Sequence, residues 1–218
     1  MKCSGAIFDM DGLLFDTERI FQETWKELAD AYHVELAEGF TKAISGTNGA
    51  HMCRVIEAYY HVPDGEEIRD ACMKGVKEKL RMHVPVKKGV SEILRYFRET
   101  GIRIAVASSS PREQIQANLE CAGLYEYFDA IVSGSEVLHG KPEPDIFLRA
   151  AEKIGCSPEA CYVFEDSENG IRAGAAAGCM TVMVPDLLEP SKEVMPYCKW
   201  ICENLEQALG KIKKIGRE

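Results

Sequence analysis

The 218-residue sequence predicts an α/β fold, a Rossmann-like parallel sheet core flanked by helices, with an inserted all-α helical cap. Three observations carry this expectation. Five short apolar runs show little alternation, as strands do when both faces of a parallel sheet are covered. From residue 86 onward, amphipathic helical stretches separate those runs, which is the alternation of βαβ units. Residues 16–84 break the pattern with helical periodicity and no convincing strand.

Taken in order, the first strand is Gly5–Met10. The insert follows, with helical patterns at Phe21–Tyr32, Gly39–Ile44, Ala50–Tyr60 and Gly65–Met82, punctuated by "SGTNG" and "HVPDG". The spacing of Phe21, Trp25 and Leu28 places them together as insert core. The core resumes with a helix over Val90–Thr100, stopped by Gly101, and a strand at Arg103–Ser108. Pro111–Ala122 is the next helix, with Pro111 suited to a first turn and Gly123 to its end. A strand at Asp129–Gly134 precedes a helix over Pro144–Ile154, ended by Gly155. Cys161–Asp166 is a strand, Glu168–Ala177 a helix ended by Gly178, and Met180–Val184 the fifth strand. The tail "GKIKKIGRE" reads as the solvated end of a terminal helix. The domain expectation is therefore a core of residues 1–15 and 85–218 and a cap of residues 16–84. The links near Phe15–Asp16 and Val84–Lys88 are where such a cap would hinge.

Composition narrows the class. Hydrophobic residues make up 46% and charged residues 28%, as in ordinary globular proteins. A net charge of -9 argues against nucleic acid or an anionic membrane as partner. No apolar run approaches the roughly 20 residues of a membrane span, and the N-terminus reads as a strand rather than a signal peptide. The nine cysteines are scattered without a CxxC pair, which fits free thiols in a reducing cytoplasm. Cys198 and Cys202 share a possible helix face, but two thiols without nearby histidines make a weak metal site. With no long apolar surface pattern, a monomer is expected.

The chemistry is concentrated at strand ends. In open parallel sheets, ligands bind beyond the carboxyl ends of the strands. The first strand ends at Asp9-Met10-Asp11, the second at Ser108-Ser109-Ser110, and the fourth at Glu165-Asp166, while Lys141 follows the third. Acids grouped in this way suit a hard divalent cation, and Mg²⁺ fits best, with Asp9, Asp166 and Glu165 as oxygen donors. Lys141 adds positive charge, and Ser108 and nearby backbone N–H groups add hydrogen bonds, which makes a pocket for a phosphoryl group. Asp9 then serves as nucleophile and Asp11 as general acid and base. Glu165 stands either as a direct ligand or behind the ligands. Ser109 and Ser110 are turn formers, with one of their N–H groups expected on phosphate. Thr17, Phe21, Thr47 and Asn48 are candidate substrate contacts of the cap. His51 suits an exposed helix face, and Asp16 a capping role.

The motifs "FDMDGLLFDT", "VASSS", "GKPEPDIF" and "VFEDSENGIRAGAAAG", in that order, resemble the four motifs of the haloacid dehalogenase-like hydrolase superfamily, within it the β-phosphoglucomutase-like phosphatases with a helical cap. The resemblance implies Asp9 as nucleophile, Asp11 as acid/base with its backbone carbonyl on Mg²⁺, Ser108 and Lys141 as phosphate-site residues, and Asp166 and Glu165 as metal acids. It implies a phosphatase of a small phosphorylated metabolite, such as a sugar phosphate, acting through an aspartyl-phosphate. Dehalogenases of the superfamily lack an acid at the place of Asp11. Phosphonatases use a cap lysine, and nothing marks Lys42, Lys74 or Lys77 as desolvated. Mutases carry a histidine where this chain has Phe21 and a cap arginine where it has Gly49, so the phosphosugar mutase is the runner-up. A non-catalytic phosphometabolite-binding protein would usually have lost Asp9, Asp11 or Lys141, and none is missing.

Overall fold

The computed structural model describes residues 3–44, 47, 49–186 and 189–215. The chain divides into two compact units, residues 1–16 with 85–218, and residues 17–84.

Among the described residues, the first unit holds a sheet of six parallel strands: β1 (Gly5–Phe8), β2 (Arg103–Ser108), β3 (Ala130–Ser133), β4 (Cys161–Glu165), β5 (Met180–Met183) and β6 (Trp200–Ile201), in the order β3-β2-β1-β4-β5-β6. The order reverses between β1 and β4, where the carboxyl ends of two adjacent strands diverge toward crossovers on opposite sides and leave a crevice. The second unit holds α1 (Thr17–Ala31), α2 (Phe40–Ile44), α3 (Gly49–Tyr60) and α4 (Glu66–Met82). The remaining helices belong to the first unit: α5 (Val90–Glu99), α6 (Arg112–Cys121), α7 (Asp145–Lys153), α8 (Glu168–Ala176) and α9 (Leu205–Ile215).

Continuous apolar strands require cover on both faces, and the sheet has it. Ile7, Ala105, Val132 and Val163 meet Ile146, Phe147 and Ala150 of α7 and Ala173 of α8 on one face. On the other, the Phe8 ring stacks on Phe164 at 4.6 Å and lies 6.1 Å from Phe97 of α5, and α5 packs on α9. Burying each of the Ile, Val and Phe side chains among them contributes about 1.5–3 kcal/mol.

Several boundaries differ from expectation for local reasons. β1 stops at Phe8 rather than Met10, because the Met10 carbonyl accepts from Leu14 and Phe15 N–H in a tight turn. Pro111 precedes α6 with extended ψ of 144° instead of opening its first turn. β6 carries no strong sequence signal, while α9 is the terminal helix whose end the tail suggested, with Leu205, Ala208, Leu209 and Ile212 on its buried face. The two-residue β6 rests on β5, with Trp200 stacked 5.8 Å from Tyr162. Cys198 and Cys202 share no helix face, since Cys198 ends a 3₁₀ turn and Cys202 follows β6. All nine cysteines are free thiols.

The expected links near residues 15 and 85 are knitted to each other. Phe15 and Val86 form an antiparallel bridge, Asp16 N–H donates to the Pro85 carbonyl, and Lys87 N–H donates to the Leu14 carbonyl. Asp16 therefore belongs to the first unit rather than to the insert.

In the second unit, Trp25, Phe40 and Tyr60 form an aromatic core with ring centroids 5.8–6.3 Å apart, and the Tyr60 hydroxyl donates to the Trp25 carbonyl at 2.6 Å. The buried face of α1 is Thr17, Ile20, Thr24, Trp25 and Ala29. The expected Phe21–Trp25–Leu28 stripe is rotated relative to it, so Phe21 and Leu28 are only half-buried. Among the described residues no helix is long and apolar enough to cross a membrane.

Candidate active site

The site is assembled from four strand ends of the first unit. β1 is wholly buried and delivers Asp9, whose N–H donates to the Phe164 carbonyl at 3.0 Å. The chain then reverses at Gly12, which has φ of +83°. A Cβ at position 12 would fall 2.3 Å from Asp166 Oδ2, so glycine is required there by both conformation and space. This turn leaves Asp11 half-buried beside the end of β2.

From β2, Ser110 Oγ donates to Asp11 Oδ2 at 2.8 Å, and Ser108 Oγ lies farther from the same oxygen, at 3.4 Å. The Ser110 N–H donates to Ser108 Oγ at 3.1 Å, and Ser133 at the end of β3 donates to the Ser110 carbonyl at 2.7 Å. The serine loop is thus pinned from two sides, and Ser109, by contrast, is exposed.

Lys141 reaches in from the loop after β3. Its side chain is only 8% exposed, and Nζ donates to Asp9 Oδ1 at 2.5 Å and to Glu165 Oε1 at 2.6 Å. The Ala107 carbonyl accepts at 3.3 Å, and the Phe147 ring centroid lies 5.1 Å away. Glu165 is fully buried at the end of β4. Its Oε2 accepts from Ser167 N–H at 3.0 Å and Ser167 Oγ at 2.9 Å, while the same hydroxyl caps α8 through Gly170 N–H. Both Glu165 oxygens are therefore engaged. Asp166, next along the chain, is half-buried, and Asp9, Glu165 and Asp166 each offer an oxygen within 4.8 Å of the others.

Electrostatics follow from this crowding. Burial pushes the Asp9 carboxyl up to about 7; Lys141 opposes the rise, and Glu165 and Asp11 add to it. Asp166 is raised well above the usual carboxylate range by burial, then by Glu165 and Asp9. Burial would lower the Lys141 ammonium, but Asp9 and Glu165 outweigh it and raise it. Among the described residues, Asp9, Glu165 and Asp166 thus crowd around Lys141, an excess of negative charge that a hard divalent cation would offset. The donor set fits such an ion: all ligating atoms are oxygens, on adjacent strand ends, and Asp9 and Asp166 are the acids under most strain.

The structure brings together Asp9, Asp11, Ser108, Ser110, Lys141, Glu165 and Asp166. Of the cap candidates, Thr17 is buried at the start of α1 and Phe21 is half-buried on it. Thr47 donates its hydroxyl to the Ile44 carbonyl at 2.6 Å, Asn48 lies outside the described residues, and His51 is exposed. The turn expected at Gly12 is present, whereas sequence reasoning missed Ser133, Ser167 and Gly170. Ser167 had a readable signal, a serine just before a helical run. The others act through close approach across strands, which no local pattern records.

A family model described as haloacid dehalogenase-like hydrolase matches residues 6–184. The chain is 33% identical over 176 residues to the phosphorylated carbohydrates phosphatase of Thermotoga maritima, covering 79% of this chain and 81% of that one. It is 32% identical over 185 residues to the fructose-1-phosphate phosphatase YqaB of Escherichia coli K12, covering 84% and 97%. A Thermotoga maritima structure provisionally named a β-phosphoglucomutase superposes with a TM-score of 0.84 at 28% identity, covering 99% of this chain and 100% of that one.

Proposed function

The chain belongs to the haloacid dehalogenase-like hydrolase family and is a phosphoric monoester hydrolase, and from this and the site geometry we propose a Mg²⁺-dependent phosphatase of a small phosphorylated metabolite, working through an aspartyl-phosphate. The observation that carries the proposal is Lys141 Nζ bridging Asp9 and Glu165 beside Asp166, with Asp11 held separately by Ser110. Two aspartates two residues apart thereby acquire different surroundings, as two different tasks require.

Asp9 is assigned as nucleophile. Lys141 grips its Oδ1, which orients Oδ2 for attack on phosphorus. Asp11, aimed by the Ser110 hydroxyl, gives its proton to the bridging oxygen as the alcohol leaves. It then takes a proton from the water that attacks the Asp9 acyl-phosphate, releasing inorganic phosphate and restoring Asp9. Lys141 is assigned to offset the charge that redistributes on the phosphoryl oxygens, with the Ser109 N–H of the serine loop as a candidate donor to them. Asp9, Asp166 and the Asp11 carbonyl would hold Mg²⁺, which when bound supplies charge neutralisation and Lewis-acid polarisation. Glu165, with both oxygens engaged, is assigned to holding Lys141 rather than the metal.

A sugar phosphate is the favoured substrate, supported by the names of the two phosphatase relatives. Phe21 and Gly49 stand where a mutase would need a histidine and an arginine, which favours hydrolysis over isomerisation. The absence of disulfides among the cysteines fits a reducing compartment such as the cytoplasm. The test is release of phosphate from p-nitrophenyl phosphate, which should require Mg²⁺ and vanish in Asp9→Ala. Metal-independent turnover, or full turnover in that variant, refutes the mechanism. A panel of phosphorylated metabolites identifies the substrate, and hexose 1-phosphate isomerisation primed with a bisphosphate would instead mark a mutase.

A further inference from the structure

We propose that Lys87 is a positioning residue that clamps the turn carrying Asp11, a role that rests on the phosphatase reading of this site. Lys87 lies on the segment that re-enters the first unit, and its backbone N–H is already bonded to the Leu14 carbonyl at 2.9 Å. Its ammonium donates to the Gly12 carbonyl at 2.8 Å and pairs with the Asp186 carboxylate, just beyond β5. Three segments far apart in sequence thus meet at one side chain that is 21% exposed, opposite an aspartate that is 16% exposed.

The position of Gly12 gives this contact its consequence. One side of the Gly12 turn lies so close to Asp166 that a Cβ there would sit 2.3 Å from Oδ2. Its carbonyl is held by Lys87, and Asp11 is its immediate neighbour. The turn is therefore wedged between a proposed metal acid and a cation. A buried carbonyl needs a donor, and a charged donor fixed by its own carboxylate holds more firmly than a neutral one. Asp186 fixes the ammonium; the ammonium fixes Gly12; and Gly12 sets where Asp11 and Asp166 stand. Misplacing a catalytic group by about 1 Å costs on the order of 100-fold in rate.

The test uses the full chain with Lys87→Met, Lys87→Arg and Asp186→Asn. Hydrogen exchange is followed in the peptide covering Gly12–Phe15, in which the Gly12, Leu14 and Phe15 amides bond within the turn. Turnover of p-nitrophenyl phosphate is measured per folded molecule. In Lys87→Met the turn amides should exchange at least about tenfold faster, and kcat should fall about 10- to 100-fold. KM should stay within about threefold, because the substrate's own contacts are untouched. Lys87→Arg should restore most of kcat, and Asp186→Asn, which leaves the lysine in place, should fall between. Wild-type exchange at Gly12–Phe15 in Lys87→Met overturns the proposal whatever the activity does. Absence of phosphatase turnover in the unaltered chain would refute the functional reading instead, and the exchange measurement would still decide the clamp.

Discussion

Gly170 on α8 faces the Glu165 carboxyl so closely that a Cβ would fall 1.9 Å from both its Cδ and its Oε1. The helix following β4 can approach the strand end only because this residue has no side chain. That approach keeps Glu165 in place to grip Lys141, which in turn holds Asp9.

Gly170→Ala should therefore be costly, although alanine favours a helix over glycine by about 1 kcal/mol. The forced displacement of a buried carboxylate should lower stability by about 1–3 kcal/mol and depress kcat as Lys141 loses its partner. Gly174→Ala is the matched control. Its Cβ would meet Thr181 Cγ2 at 2.8 Å and Val163 Cγ1 at 3.0 Å, away from the acids. It should lose stability but keep kcat per folded molecule. Urea denaturation paired with active-site-normalised rates separates the two.

Lys141→Met removes the cation that bridges Asp9 and Glu165. Breaking a buried pair by deleting one partner costs about 3–5 kcal/mol. The sign of the pH dependence follows from carboxyls raised in the folded state, which bind protons more tightly folded than unfolded. Such groups destabilise the fold fully above their folded pKa, and the penalty shrinks as pH falls from there toward the unfolded value. The deficit of Lys141→Met relative to the unaltered chain should therefore be largest near pH 8 and shrink toward pH 5.5. Urea midpoints at the two values check it, and an equal deficit at both would contradict the assignment of Lys141 as counter-charge.

Ser110→Ala deletes the 2.8 Å donor to Asp11. Stability should change by no more than about 1 kcal/mol, because the serine is half-exposed and its backbone bonds remain. The rate should fall about tenfold or more, since a general acid works only within hydrogen-bond reach and in the right orientation. Pre-steady-state phosphate release would locate the loss in the steps that move Asp11's proton.

Glu136 ties the end of β3 to two helices. Burial raises its carboxyl, but Lys153, the Ser133 N–H and Arg112 together hold it down at about 2. Glu136 accepts from Lys153 at 2.6 Å, Ser133 N–H at 3.0 Å and Arg112 at 2.9 Å. A depressed carboxyl stabilises the fold above its unfolded pKa and ceases to do so as pH falls through its folded one. Relative to Glu136→Gln, the unaltered chain should be more stable by about 1 kcal/mol at pH 7, with the advantage fading between about pH 5 and pH 2. Guanidinium denaturation at pH 7 and pH 3 measures it.

Much of this was legible in the sequence because it depends on local pattern. Apolar runs, helical periodicity and glycine stops placed five of the strands and the helices between them. The strand-end positions of Asp9, Ser108 and Asp166, and the place of Lys141 beyond the third strand, followed from the same pattern and from the general location of sites in parallel sheets. The edge strand β6 escaped notice because two residues are too few to show a period. The register of α1 was misjudged because Phe21 and Leu28 are apolar, and apolarity says nothing about which side a neighbouring helix occupies. The even choice over Glu165 could not be made from its position in the chain. Its surroundings are set by Lys141, 24 residues away, and by the Ser167 turn, which donate to its two oxygens and support the proposed role of Glu165 as the holder of Lys141.

The sequence by itself determined which chemical groups this protein carries and at which strand ends they stand, because hydrophobic period and turn chemistry are local properties. Only the tertiary structure decided how those groups pair: Lys141 between Asp9 and Glu165, Ser110 on Asp11, and Lys87 on Gly12. Pairing is set by distances of a few ångströms between segments up to 132 residues apart. Those distances exist only once the sheet has been ordered and its crossovers packed.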